Sequence, residues 1–277
     1  MELKKIDAQE LKIILADLLY QVDLFCKKNN ISYFLDAGTL IGAIRHKGFI
    51  PWDDDIDICM PRPDYNRFLE ITKDKPINEY IKIYYEEDSL FPYIKICDTR
   101  TLLIEYPDTL RTELSVYIDV FPKDGLPDNP KKAARHCAKV KFYNNCYWFN
   151  KYSVRVWKKS KNVIKKMIAY IMYPLVKDKL YPLKKSLKLA QKYPYEKSRY
   201  VATVLAGGMA NRVGKECFSK SIAVEFEGRS YSAPIGYDKY LRKLFSKIND
   251  GDYMIWPPED LRVAHETEAY WKEGCKK

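Results

Sequence analysis

Apolar positions in the first thirty residues repeat with a helical period. Leu11, Ile14, Leu15, Leu18, Leu19, Val22 and Phe25 share one face, Asp7 stands where an N-cap belongs, and Asn29-Asn30 closes the run. The pattern then shortens to that of strands. Residues 31–35 predict a strand, and 38–44 a glycine turn opening a short helix whose small residues permit close backbone approach. Pro51 and two isoleucines favour a strand over 53–58, which would set Asp53, Asp55 and Asp57 on one face and turn Ile56 and Ile58 into the core. A helix begins near Pro61 and carries Tyr65, Phe68 and Leu69. Four short strands follow at 81–85, 93–97, 102–105 and 116–121, in antiparallel or mixed pairing because the connections are too short for many crossover helices. Beyond a breaker from Gly125 to Pro130, two or three helices run to Tyr193, interrupted at Pro174, Pro182 and Pro194. The last part predicts strands at 223–226 and 231–233 about a Glu227-Gly228 turn, a helix near 238–248 and a short helical tail. The whole reads as α+β, a mixed sheet flanked by helices. Residues 1–130 would be a catalytic core, 131–200 a helical insertion, and 201–277 the part that completes the catalytic domain.

Composition narrows this picture. With 277 residues, 47% of them hydrophobic, the chain can bury a real core, and 31% charged residues exclude a low-complexity chain. No repeat of 20–50 residues marks a solenoid. The longest uncharged stretches, 167–176 and 200–211, fall short of the ~20 residues a spanning helix needs. The opening residues mix charges and show no secretory signal, so a cytoplasmic chain is expected. Seven cysteines with no CxxC pair argue against a disulfide framework or a zinc ribbon and for reduced, mostly buried thiols.

Charge is unevenly spread. The formal net charge is +11, yet residues 131–200 hold 20 Lys and Arg against two acids, leaving −7 for the rest. This basic stretch is interleaved with Tyr147, Trp148, Phe149, Tyr152, Trp157 and Tyr170. Such a surface suits anionic lipid headgroups or nucleic acid, where a solvated helical face would be the plain alternative. Lys165-Lys166 before the apolar run 167–173 suggests an interfacial helix.

The chemistry concentrates at Asp53-Asp54-Asp55-Ile56-Asp57. Carboxylates on one face repel each other and stay ionised together only if a cation or water compensates them. Oxygen-only donors at this density suit Mg²⁺ or Mn²⁺. Asp119 lies amid apolar residues on an expected core strand, where an isolated acid is costly unless paired. It joins the cluster if the two strands are neighbours. Upstream, the Gly38-Thr39 turn offers backbone N–H groups at a helix start, a seat for phosphate, with Arg45, His46 and Lys47 one short helix later. A small-residue turn, an Asp-apolar-Asp segment and a distant strand-borne Asp form the arrangement of nucleotidyltransferase-fold enzymes.

The run from Asp36 to Asp57, DAGTLIGAIRHKGFIPWDDDID, closely resembles the signature of the LicD family, phosphotransferases of the nucleotidyltransferase superfamily with fukutin and fukutin-related protein as distant animal relatives. Ile118-Asp119-Val120-Phe121-Pro122 and motifs between Ala223 and His265 extend the likeness, which covers about 30–130 and 223–265. Lys123 departs from the pattern, where an apolar residue is usual, and the basic middle matches no family motif. The resemblance implies transfer of a phospho-alcohol, phosphocholine first, from a CDP-linked donor such as CDP-choline to a hydroxyl of a lipid-linked glycan, releasing CMP. It also implies Asp53, Asp55 and Asp57 as metal ligands for Mg²⁺ (or Mn²⁺), with Gly38, Arg45 and Trp52 lining the donor site. Asp119 would complete the metal shell or take the acceptor's proton, making Asp55, Asp57 and Asp119 the catalytic set. Thr39, Lys47, Lys95, Arg262 and His265 are further candidates for contact with substrate. Trp52, with Tyr253 or Trp256, could box a quaternary ammonium. Residues 131–200 would dock the enzyme on the anionic inner face of the membrane, with no nucleic acid partner. The rival readings are a nucleotidyltransferase acting on RNA or a small molecule, which shares the Asp-x-Asp chemistry, and a non-catalytic membrane-surface adaptor.

Overall fold

The computed structural model describes residues 3–85, 91–105, 112–149, 163, 164, 167, 171, 180–257 and 267–274. Helix α1 (Ala8–Lys28) follows the predicted periodicity. Asp7 caps it by accepting the Glu10 N–H at 2.8 Å, worth about 1 kcal/mol, and the apolar face from Leu11 to Phe25 is buried. Helix α2 (Ala37–His46) is capped by Asp36, and α3 (Arg62–Asp74) starts after Pro61. Both helices flank a sheet of nine strands among the described residues, consistent with the α+β expectation.

The sheet runs β1 (Lys4–Ile6), β11 (Thr267–Trp271), β5 (Ile94–Glu105), β6 (Thr112–Leu126), β3 (Asp57–Pro61), β2 (Phe34–Leu35). Strand β4 (Ile81–Tyr84) and β11 share one edge of β5, pairing with its first and second halves on either side of a register shift between Asp98 and Leu103. The two strands predicted at 93–97 and 102–105 are therefore one long strand with a bulge. Pairing is antiparallel except between β3 and β6, which run parallel. Strands β7 (Tyr200–Ala202) and β8 (Val213–Gly214) extend the end of β6, and β9 (Ser221–Phe226) and β10 (Arg229–Pro234) form a separate hairpin.

Two expectations are corrected. The tail is strand β11, not a helix, because Ala269 and Trp271 turn into the core while the backbone bridges β1 and β5. Strand β3 begins only at Asp57, so residues 53–56 are irregular and the alternation expected for the aspartates does not apply. Pro182 occupies the first turn of α5 (Tyr181–Ala190), where its missing N–H costs nothing, so a helix boundary does fall there.

Helix α4 (Pro130–Trp148), capped by Asn129, packs against α5. Leu126, Cys137, Val140, Ala190, Ala202, Val204 and Leu205 form a small second core beside the main one. Helix α6 (Tyr237–Leu244) closes over α2. Of the six described cysteines five are buried and all are free, as expected. No helix among the described residues is long and apolar enough to cross a membrane.

Candidate active site

Three adjacent strands set one row of charges. On β5 and β6, Lys95 stands directly opposite Asp119, and on β6 and β3, Asp119 stands opposite Asp57. Facing partners in a ladder lie on the same side of a sheet, so Lys95, Asp119 and Asp57 line up across it. The Lys95 ammonium is buried and contacts Asp119 Oδ1 at 2.6 Å, lying over the Tyr117 ring at 3.3 Å from its centre. Burial pushes the Asp119 carboxyl up, and Lys95 opposes that shift. Burial pushes Asp57 well above the ordinary carboxylate range, reinforced in order by Asp55, Asp119, Asp36 and Asp53. Asp53 and Asp55, on the irregular segment 53–56, thus act on Asp57 without the strand alternation expected to gather them.

Helix α2 supplies the other border. The Asp57 N–H donates to Thr39 Oγ1 at 2.8 Å, and the Asp36 N–H donates to the Asp57 carbonyl at 2.9 Å, which pins the start of β3 to the first turn of the helix. Thr39 is buried, and its hydroxyl serves this anchor. A side chain on Gly38 would put its Cβ 2.7 Å from Asp53 Oδ2, so glycine is what lets that carboxylate lie against the N-terminal turn.

The remaining predicted residues separate. Arg45 donates to the carbonyls of Tyr253, at 2.8 Å, and Ile255, and lies over Trp256, whose ring meets Trp52 at 5.0 Å. Arg45 and Trp52 thereby build an aromatic shelf next to Asp53. Tyr253 spends its hydroxyl on Asp238, and exposed Lys47 pairs with Glu225 on β9 at 3.3 Å. Arg262 and His265 lie outside the described residues. Sequence reasoning missed the role of Lys123. Buried, it donates to Asp36 at 2.7 Å, Thr203 at 3.0 Å and Tyr240 at 2.7 Å, and Tyr240 in turn donates to Asp36. A lysine inside an apolar strand was the available signal, since such a charge demands a partner.

The donor set suits a hard divalent ion by chemistry, being oxygen only. Among the described residues no three His, Cys, Asp or Glu side chains are gathered tightly enough to hold one. An open groove of about 1200 Å³ lies past Pro61 at the opposite end of β3, between residues such as Lys27, Asp64 and Tyr195, and contains none of the cluster. Asp54 and Asp55 border a small cleft with Tyr117 and Thr267.

A family of sequences described as LicD/FKTN/FKRP, nucleotidyltransferase domain, matches residues 30–147, the span that holds the whole row. The lipopolysaccharide cholinephosphotransferase LicD of Haemophilus influenzae is 33% identical over 282 aligned positions, covering 97% of this chain and 99% of that protein. The chain belongs to the LicD family. Shorter matches join it to uncharacterised proteins of Rickettsia typhi, 52% identical over 44 residues, and Rickettsia prowazekii, 57% over 37, each covering 14% of the relative and 16% or 13% of this chain. The near end-to-end match with the Haemophilus LicD includes the basic middle, to which no LicD motif had been assigned from sequence.

Proposed function

We propose that this LicD-family protein transfers phosphocholine from CDP-choline to a hydroxyl of a cell-surface glycan precursor such as lipopolysaccharide, teichoic acid or capsule, releasing CMP. The single observation that carries this reading is the Lys95–Asp119–Asp57 row, with Asp53 beside it at the N-terminus of α2, in a chain matching a cholinephosphotransferase along nearly its full length.

In this reading the acceptor oxygen bonds to the choline-bearing phosphorus as the bond from that phosphorus to the bridging oxygen breaks. Asp119, oriented by Lys95, takes the acceptor's proton, and CMP leaves with the bridging oxygen. The backbone N–H groups at the start of α2 face the diphosphate, and Arg45 holds the Trp52–Trp256 shelf beside it. Asp53, Asp55 and Asp57 would hold Mg²⁺ or Mn²⁺, which supplies charge compensation for the diphosphate and the departing CMP. Because the glycan is lipid-linked, the basic segment 131–200 would bring the enzyme to the anionic inner face of the membrane. Val163, Ile164, Met167 and Ile171, exposed and at helical spacing, supply apolar contacts for that face. The apolar run at 167–173 otherwise lies mostly outside the described residues.

The test is incubation with CDP-choline, CDP-glycerol, CDP-ribitol or nucleoside triphosphates, with Mg²⁺ or with EDTA. CMP released from CDP-choline, and lost with EDTA, is expected. Pyrophosphate released from a nucleoside triphosphate would replace this reading with a nucleotidyltransferase.

A further inference from the structure

A second cavity, of about 540 Å³, opens between the start of β5, helix α4 and the turn at 204–210. Its volume falls within the ~300–1,000 Å³ of small-molecule sites. Phe91 and Tyr93 form one wall, stacked at 5.4 Å, and Trp148 meets Phe91 edge-on at 5.7 Å. The cavity adjoins the charged row. The Lys95 ammonium that holds Asp119 at 2.6 Å lies 4.8 Å from the centre of the Phe91 ring and 5.8 Å from that of Tyr93, so one side chain separates the aromatic wall from Asp119.

The lining selects a ligand class. Asn144 is 8% exposed and donates its amide to the Leu205 carbonyl at 2.7 Å, which fixes the amide's orientation. Its Oδ1 is buried and finds no partner among the described residues. A buried acceptor left in that state costs about 1–3 kcal/mol, so the site favours a ligand that donates a hydroxyl. Exposed Asn145 and Lys141 add polar groups at the rim. A quaternary ammonium is disfavoured, because Lys95 already lies against the Phe91 and Tyr93 rings and Lys141 adds a second positive charge. Aromatic faces with amide groups suit a sugar ring, which is apolar on its C–H faces and a hydroxyl donor at its edge.

Geometry assigns the role. In-line displacement needs attacking and leaving oxygens on opposite sides of the phosphorus. The α2 N-terminus with Asp53 lies on the β3 side of Asp119, while the cavity opens along β5, where Phe91 and Tyr93 lie beside Lys95 and Tyr93 packs on Phe121. With the diphosphate on the β3 side, the acceptor enters from the β5 side, past Phe91 and Tyr93. Resting on the transfer reaction proposed above, we infer that the cavity lined by Phe91, Tyr93, Asn144 and Trp148 is the acceptor subsite and binds a saccharide ring of the glycan, presenting its hydroxyl to Asp119.

Saturation-transfer NMR on the full chain tests this with methyl α-D-glucoside, methyl β-D-galactoside and methyl N-acetyl-β-D-galactosaminide at millimolar concentration. At least one glycoside should bind, at least fivefold more weakly to Trp148→Ala and to Asn144→Leu, while CDP-choline still raises the melting temperature of both variants. If Asn144→Leu fails to fold, half-buried Trp148 and exposed Asn145→Ala decide the outcome. The inference is overturned if no glycoside binds the parent chain or if binding is equal in the variants. Loss of the CDP-choline response alone also overturns it and gives the cavity to the donor's cytidine. Failure of the transfer reading shows separately, as absence of CMP release from CDP-choline by a chain that still binds glycosides.

Discussion

Lys95 and Gly38 do unlike work at the two ends of one row of charges. Removing Lys95 as Lys95→Met leaves Asp119 as an uncompensated buried charge, which should cost about 3–5 kcal/mol in denaturant unfolding along with activity. Adding Asp119→Leu to Lys95→Met should recover most of the stability and none of the CMP release. Recovery of both would reduce the pair to a structural one. Gly38→Ala acts in the other direction. The atom its Cβ meets is the far end of a flexible side chain, so Asp53 swings away and the helix gains propensity. The melting temperature should hold or rise slightly while CMP release falls at least tenfold. Unchanged turnover would remove Asp53 from the site. Asp55→Asn and Asp57→Asn should abolish transfer in folded protein, read by CMP release alongside circular dichroism. These residues were legible in sequence because they are chemically expensive: carboxylates in a run, or an acid between isoleucine and valine, need an explanation. Thr39 was legible as a residue of the turn, but its anchoring of the Asp57 N–H was not, because that bond crosses between elements.

At the scale of elements, periodicity found what burial on one face dictates. Helices α1 and α3, the turn into α2 and the β9–β10 hairpin all follow from local pattern. Where pairing rather than pattern decides, reading the sequence failed. Strand β11 exists because β1 and β5 lie on either side of it, and nothing within residues 267–271 states that. The aspartate segment looked like a strand since alternation alone would gather its charges, whereas Asp53 and Asp55 act on Asp57 from an irregular approach to β3. Lys123 likewise acts between elements: through Asp36 and Tyr240 it joins β6, the cap of α2 and α6. Tyr240→Phe removes two of those hydrogen bonds while keeping the ring, and should cost about 1–3 kcal/mol in denaturant unfolding. Because Asp36 also caps α2 and bonds the start of β3, catalytic activity should fall more steeply than the melting temperature. An unaltered rate in a destabilised Tyr240→Phe protein would confine the network to folding.

For the whole molecule the governing feature is a charge of +18 in residues 131–200 set against −7 elsewhere. Like charges so concentrated raise the free energy of the folded chain, an effect that a counter-surface relieves. An anionic bilayer attracts a basic segment by about 1 kcal/mol per Lys or Arg at the surface, and the attraction fades within a Debye length of about 10 Å at 0.1 M salt. Electrostatics alone would give binding that salt abolishes. The exposed side chains of Val163, Ile164, Met167 and Ile171 add an apolar component that salt does not screen. The full chain should therefore sediment with phosphatidylglycerol vesicles at low salt, be retained in part at 0.5 M salt (a Debye length of roughly 4 Å), and ignore neutral phosphatidylcholine vesicles. Met167→Ser with Ile171→Ser should leave low-salt binding nearly intact and abolish the retained fraction, since it changes apolar contact and no charge. Absence of low-salt binding to phosphatidylglycerol would return residues 131–200 to a solvated face, equal retention by the double variant would place the salt-resistant contact away from Met167 and Ile171, and no retention by the parent chain at 0.5 M salt would make the attachment purely electrostatic.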